Sequence, residues 1–248
     1  MIQKIKNRIG ERFLSNEGYW FTITEISDCK KYTVKFDEGF VLYNVTYSNL
    51  VRGAVRNPYH PSVFGVGYFG AGKYGSKIED KKAREYVTWQ SMLGRCYSKK
   101  NQKRNLTYKG VIVCEEWKCF QNFAEWYEKN YIEYFELDKD ILFKGNKVYS
   151  AETCCFVPKE INNLFVKCDK VRGDLPIGVF NHKNRFIVRL RKNGKRVYLG
   201  LFDTPEEAFQ AYKTAKEEYI KEVADKWRGQ ITEPTYYAMY AYKVEITD

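Results

Sequence analysis

The run RFIVRLR is where residue types and spacing most directly describe a chemistry. Side chains of a strand alternate between faces, so Arg185, Ile187, Arg189 and Arg191 share one side and Phe186, Val188 and Leu190 the other. Arg189 and Arg191 then stand about 7 Å apart, with Arg185 about 13 Å before Arg189. Guanidinium groups so placed meet phosphates or guanine edges. Lys183, Lys192, Lys195 and Arg196 surround them, and the competing reading is a basic strand face that only water covers. A second basic group, Lys99, Lys100, Lys103, Arg104 and Lys109, reads as a loop that suits phosphate contact or simple solvation. Asp138 and Asp140 alone imply a charged hairpin with salt bridges. Cys114, Cys119, Cys154 and Cys155 would make a four-thiolate zinc site, but their spacing is not C-x-x-C, and structural zinc is not expected. Gly65 to Lys77 lacks the phosphate-loop pattern because Tyr74 follows Lys73; a flexible linker touching DNA backbone through Lys73 and Lys77 is the reading.

The rest of the chain must position these groups. It has 248 residues, 44% of them hydrophobic, enough for one packed domain or several small ones. Its formal net charge of +11 favours a polyanionic partner, most simply nucleic acid. No apolar run approaches the length of a membrane span. The start, MIQKIKNRIGERF, lacks an apolar signal core, so a cytoplasmic protein is expected. Seven cysteines are then expected as reduced thiols.

Punctuation and periodicity imply an α+β, multi-domain chain. Residues 1–61 alternate in YWFTITEI, KYTVKF and FVLYNVTY and read as a small, SH3-like β module of four or five strands. Residues 62–76 are the Gly-rich linker. Residues 77–170 hold two amphipathic helices, one with Tyr86, Trp89, Met92 and Leu93 on a face, the other with Trp117, Phe120, Phe123, Ala124 and Tyr127. Residues 173–229 read as three strands and a helix. Asn193-Gly194 makes the second hairpin turn, and Thr204-Pro205-Glu206-Glu207 caps the helix, whose sheet-facing side is Ala208, Ala211, Tyr212, Ala215 and Tyr219. Residues 230–248 alternate like a strand or tail.

The run Tyr198-Leu199-Gly200-x-Phe202-x-Thr204-x-Glu206-Glu207-Ala208-x-x-Ala211-Tyr212, behind RFIVRLR and its hairpin, resembles the APETALA-two, ethylene-response-factor type of DNA-binding domain, a family that also occurs in phage endonucleases. The resemblance implies a three-stranded sheet laid in the major groove with the helix behind it. Tyr198 would face the DNA beside the arginines. Phe180 stands where the plant family usually has Arg, so its base preference does not transfer.

Trp89-x-x-Met92-x-x-Arg95-Cys96-Tyr97 and Tyr108-Lys-Gly-Val-x-Val-Cys-x-x-Trp117 are followed by Phe120 and Phe123, by Leu137-Asp138-Lys139-Asp140, and by Glu152-Thr153-Cys154-Cys155-Phe156-Val157-Pro158-x-x-Ile161-Asn162. In that order these elements resemble phage HNH homing endonucleases of the His-Me finger superfamily. The resemblance implies a ββα domain with flanking helices and a single Mg2+ or Mn2+. Asp138 takes the hairpin metal-ligand position and Asn162, with Asn163 adjacent, the helical one. Thr153 stands where an Asn should orient the general base, and Lys139 stands where that base, a His, should be. An ordinary lysine is protonated at neutral pH and is a poor base. Neither His60 nor His182 lies near the motif in sequence.

These readings lead to a phage-type protein that binds double-stranded DNA in a host bacterial cell. Either it hydrolyses phosphodiesters with a metal, or it is a catalytically inactive derivative. In the second case it would be a regulator, or an anti-CRISPR-like inhibitor of a host defence protein or ribonucleoprotein. Binding of structured RNA is a third expectation.

Overall fold

Alternation of apolar and polar residues builds the first sheet. In the computed structural model, which describes residues 8–27, 31–166 and 174–246, strands β1 (Arg12–Leu14), β2 (Trp20–Ile26), β3 (Lys31–Phe36) and β4 (Val41–Thr46) pair antiparallel in chain order. Phe21, Ile23, Val34 and Phe36 point to one side and bury with Leu50 of the short helix α1 (Tyr47–Val51). The expected boundary at residues 170–173, between the central and C-terminal segments, lies outside the described residues, as do the first seven and last two.

The chain divides into two compact units, one of residues 1–104 and 115–124, the other of residues 105–114 and 125–248. The first unit also holds the two-residue strands β5 (Lys77–Ile78) and β6 (Lys81–Lys82), and helices α2 (Arg84–Tyr97), α3 (Lys99–Arg104) and α4 (Glu115–Lys118). Helix α5 (Phe120–Asn130) begins in it. Trp89, Met92 and Leu93 of α2 are buried as their spacing predicts, and the Trp89 indole donates to the Trp117 carbonyl at 2.7 Å.

Residues 62–76, expected as a flexible linker, are instead packed. Tyr68 exchanges backbone hydrogen bonds with Lys118 and Phe120, each 2.9 Å, and the Gln121 side chain accepts from Tyr74 N–H and donates to its carbonyl, each 3.0 Å. A Cβ on Gly67 would lie 2.3 Å from Leu93 Cδ1, so glycine there permits close approach rather than mobility. The basic loop at 99–104 is likewise helix α3. Lysine, glutamine and arginine favour helix, a preference that a reading based on charge overlooks.

The second unit pairs β7 (Ile112–Val113) in parallel with β9 (Val148–Tyr149), and β8 (Phe135–Asp138) antiparallel with β10 (Cys155–Pro158). The short helix α6 (Lys159–Asn162) follows β10 directly. Strands β11 (Val179–His182), β12 (Arg185–Lys192) and β13 (Lys195–Phe202) form an antiparallel sheet in chain order. Behind it lies α7 (Pro205–Lys226), started as expected by Thr204, whose hydroxyl accepts from Glu207 N–H at 3.2 Å.

Residues 230–248, expected as a strand, contain helix α8 (Glu233–Ala241). Thr232 caps it by accepting from Thr235 N–H, and Pro234 in the first turn has no N–H that helix formation would waste. Thr235, Tyr236 and Met239 recur at helical spacing and are buried, while Tyr236 and Tyr240 donate to Asp225 of α7 at 2.9 and 2.6 Å. An unbroken run of apolar and aromatic residues from Tyr236 to Tyr242 blurs the difference between periods of two and of 3.6.

One core runs through this unit. Cys155, Val157 and Ile161 from the β10–α6 region bury together with Val179, Val188 and Leu190 of the sheet and Ala208, Tyr212, Ile220 and Val223 of α7. Glu160 adds a polar tie, accepting from Trp227 Nε1 at 2.8 Å and Lys226 Nζ at 2.6 Å. The hairpin segment and the C-terminal sheet are therefore built on the same apolar interior. Among the described residues no helix is long and apolar enough to cross a membrane.

The carboxylates of this unit set its acid response. The Lys226 hydrogen bond holds Glu160 below its ordinary pKa, and the Tyr240 and Tyr236 hydroxyls do the same for Asp225. A carboxyl with a folded pKa below its unfolded one stabilises the fold above the unfolded value and loses that contribution as pH falls through the folded one. Stability should therefore drop as pH falls below about 4, the ordinary carboxylate range. Burial moves Asp138 the opposite way, which partly offsets the loss. Thermal unfolding followed by circular dichroism at pH 6 and pH 3 checks this: Glu160→Gln should lose less stability over that range than the parent protein.

Candidate nucleic-acid interface

The register of the three-stranded sheet decides which side chains share its outer face. Directly opposed residues of antiparallel strands lie on the same side. Arg191 faces Arg196, Arg189 faces Tyr198, Ile187 lies between Phe180 and Leu201, and Arg185 faces His182. Val188 and Leu190 point the other way into the core beneath α7, so the division of RFIVRLR into two faces is as its alternation predicts. The turn is also as expected: Asn193 and Gly194 both take positive φ, 51° and 76°. The Tyr219 hydroxyl on α7 donates to Asn193 Oδ1 at 3.2 Å and accepts from its N–H at 3.0 Å, fixing the hairpin tip to the helix.

Not every cation of the sheet is presented outward and unpaired. Arg185 is exposed, but its Nε lies 2.6 Å from Asp203 and its Nη2 donates to the Leu201 carbonyl. Lys192 shares the parity of Val188 and Leu190, and its ammonium reaches Glu222 of α7 at 2.5 Å and the Tyr219 ring. These two are held by their own fold. Arg189, Arg191, Lys195, Arg196 and Lys183 are exposed, and among the described residues none has a carboxylate partner. Lys183 takes a φ of 55° in the two-residue turn between β11 and β12. Tyr198 is 60% exposed beside Arg189. Arg191 opposite Arg196 is a like-charge pair of the kind that destabilises a sheet, and an anion laid across both would reverse that cost.

Alternation alone does not show where β13 changes parity. The register shifts between Val188 and Arg189, so Leu199 is an extra residue on β13. Strict alternation would put Tyr198, Gly200 and Phe202 on one face. The bulge leaves Tyr198 outside, turns Gly200 and Phe202 towards the core side, and brings Leu201 out opposite Ile187. Gly200, an isolated glycine within a strand pattern, is the one signal that could have located it.

The hairpin region holds the other expected site residues. Asp138 Oδ1 accepts from the backbone N–H groups of Asp140 at 2.7 Å and Ile141 at 2.9 Å, and burial raises its pKa. Asn162 Nδ2 donates to Glu136 Oε2 at 2.7 Å, two residues before Asp138 on β8. Lys139 is only 6% exposed; its Nζ lies 2.6 Å from Asp140 Oδ1 and donates to the Asn146 carbonyl at 2.9 Å. Asn146 Nδ2 donates back to the Lys139 carbonyl at 2.8 Å. Both contacts of Nζ use N–H donors, so the buried amine is tied to the Asp140 carboxylate and the Asn146 carbonyl of its own loop. Thr153 Oγ1 donates to the Val148 carbonyl at 2.7 Å and accepts from Ser150 N–H at 3.2 Å. Lys139 and Thr153 thus fasten the β8–β10 connection, where the resemblance would place a base and its orienting group.

The chain has no match among known protein-family models, curated proteins or solved structures.

The ion that the HNH resemblance implies can be tested against these contacts. It requires Asp138 and Asn162 to turn to one point. Asp138 is turned to the backbone of its own loop and Asn162 to Glu136, and among the described residues no group of three His, Cys, Asp or Glu converges. These contacts engage Asp138 Oδ1 and Asn162 Nδ2, and the oxygens that such an ion would use are Asp138 Oδ2 and Asn162 Oδ1. Cys154 and Cys155 are buried thiols that burial pushes up, Cys155 to about 12. The exposed Lys99, Lys100, Lys103 and Arg104 belong to the first unit and Lys109 to the second. His60 also lies in the first unit, its Nδ1 3.1 Å from the Tyr19 hydroxyl.

Lys139 has a structural consequence that can be measured. Lys139→Met keeps the apolar stem but removes every donor, leaving the Asn146 carbonyl without its partner. The expected loss is about 1–3 kcal/mol of stability in urea unfolding.

Proposed function

We propose that the protein is a duplex-DNA-binding protein that docks the outer face of the β11–β13 sheet on the major groove and does not cleave. The observation that carries this is the set of exposed cations, Arg189, Arg191 and Arg196 on that face with Lys183 and Lys195 at its two turns, with no carboxylate partner among the described residues. A sheet that places like charges opposite each other gives up folding stability unless a polyanion lies across it. Tyr198 beside Arg189 adds an amphipathic ring to the same face. Helix α7 and the shared core support the sheet from behind, so the face is presented on a rigid element. The hairpin argues against cutting by general-base catalysis, because the side chain in the base position is a lysine, buried and tied to Asp140 and Asn146 of its own loop.

The test is a plasmid assay with the full-length protein, with Mg2+, with Mn2+ and with chelator, run beside fluorescence-anisotropy binding to a mixed-sequence duplex. The expected result is salt-sensitive duplex binding with intact plasmid under every condition. Metal-dependent nicking that disappears in Asp138→Ala would overturn the non-cutting part and return the protein to the active endonucleases. Absence of duplex binding by folded protein would overturn the whole reading.

A further inference from the structure

The outer face of the sheet is not uniformly basic. Between its two charged ends lies one apolar row, Phe180–Ile187–Leu201, aligned across all three strands. Phe180 is 47% exposed, and Ile187 and Leu201 are half-buried. None of the three is in the core or packs against it, whereas their neighbours Phe186, Leu199 and Phe202 do. The bulge at Leu199 is what completes the row, because without it Leu201 would turn inward. Arg189 with Tyr198, then Arg191 with Arg196, continue the face on one side; His182 with Arg185, then Lys183, continue it on the other.

An apolar strip flanked on one side by Arg189, Arg191 and Arg196 and on the other by Lys183, beyond the Arg185–Asp203 pair, calls for a partner with the complementary pattern: anionic margins and an apolar centre. A major groove offers this where thymines stand between two phosphate backbones. There the C5-methyl group of thymine is the apolar feature of a base edge, and it alone separates thymine from uracil. The rows that flank it, at Arg189 and at Arg185, lie about 13 Å apart along β12, close to the roughly 12 Å width of the groove, so the row runs along the groove and the flanking rows reach towards its two walls. Guanine and cytosine present only polar edges there, and covering them with Phe180 and Leu201 would leave their donors and acceptors unpaired.

Resting on the duplex-binding reading above, we infer that the Phe180–Ile187–Leu201 row reads thymine methyl groups and makes this sheet select thymine-containing steps in the major groove. The cations hold the flanking phosphates, and the row supplies discrimination at the centre.

The experiment compares two pools of 24-base-pair duplexes with the same random core, one made with thymine and one with uracil. Both carry the same phosphates and the same Watson–Crick pairs, so they differ chiefly in the methyl group. The full-length protein is expected to bind the thymine pool several-fold more tightly, about three- to fourfold for each buried methyl. Phe180→Ser and Leu201→Ser should each reduce that ratio while keeping duplex binding, with folding checked by thermal unfolding. Equal affinity of the parent protein for the two pools overturns the thymine inference and leaves duplex binding standing. A preference that survives in both folded variants also overturns it, since the row would not be its source. If the folded protein binds neither pool, the duplex-binding reading falls and the thymine inference with it.

Discussion

Alanine at both Arg189 and Arg191 should remove most of the duplex affinity. Each side chain is exposed, unpaired by any carboxylate among the described residues, and fixed in direction by a buried neighbour, Val188 or Leu190. A strand arginine in such a setting spends little entropy on meeting a ligand, because its backbone is already placed. A base contact by one of them is worth about 1–3 kcal/mol, so the pair should cost on the order of 2–6 kcal/mol if both read bases. They are neighbours on one face, so the double variant need not equal the sum of the singles. Salt separates the possible roles. For each phosphate contact removed, the slope of log affinity against log salt should flatten by about 0.9. A base contact lowers affinity without that flattening. As an internal comparison, Arg185→Ala and Lys192→Ala should have much smaller effects on binding, because Asp203 and Glu222 already hold those cations. Equal losses for all four variants would mean that the sheet's outer face is not the docking surface.

Gly178→Ala should be the most disruptive single methyl addition in the second unit. Gly178 precedes β11 with a φ of 77°, a conformation that L side chains rarely adopt. The added Cβ would lie 2.0 Å from Cδ2 of Tyr212, well inside contact distance. Tyr212 is buried in the core beneath the sheet and is the ring against which the start of β11 closes. Left-handed backbone at a residue bearing a Cβ costs about 1–2 kcal/mol, and forcing a buried ring aside adds about 1–3 kcal/mol. The sum, roughly 2–5 kcal/mol, is a large part of the stability of a typical domain. Urea unfolding measures it. A Gly178→Ala protein within about 0.5 kcal/mol of the parent would mean that Tyr212 can move freely, contrary to its burial.

What the sequence revealed depended on whether one period dominated locally. RFIVRLR alternates cleanly because one side must be apolar and the other solvated, and its two faces are as expected. The Thr204 cap and the Asn193-Gly194 turn are local chemistry and needed no tertiary information. Residues 230–248 misled because TYYAMYAY is apolar or aromatic at every position after Thr235, so its helix shows only when Thr235, Tyr236 and Met239 are seen to bury. The glycines of 62–76 suggested mobility, yet at Gly67 the reason is the width of Trp89 and Leu93, which no local pattern reports. Among the candidate site residues, the identities of the cations were legible and their partners were not. Asp203 and Glu222 come from separate elements, so no spacing rule could reveal that Arg185 and Lys192 are occupied. Lys139 is similar: its charge was visible, but its use as a fastener for Asn146 follows from a loop closure that only the folded chain makes.

The interior that Ile161 and Val157 share with Val188 and Leu190 has a consequence for how such a chain can be cut and recombined. A module that could be lifted out whole would carry its own hydrophobic interior and leave a clean seam behind it. Here a fragment starting at residue 174 would leave behind Val157, Ile161 and Leu164 and carry away the surface that covers them. Transplanting the sheet into another protein would therefore require the hairpin to travel with it. By the same reasoning, the hairpin can be retained as a foundation for the sheet whether or not it performs any chemistry of its own.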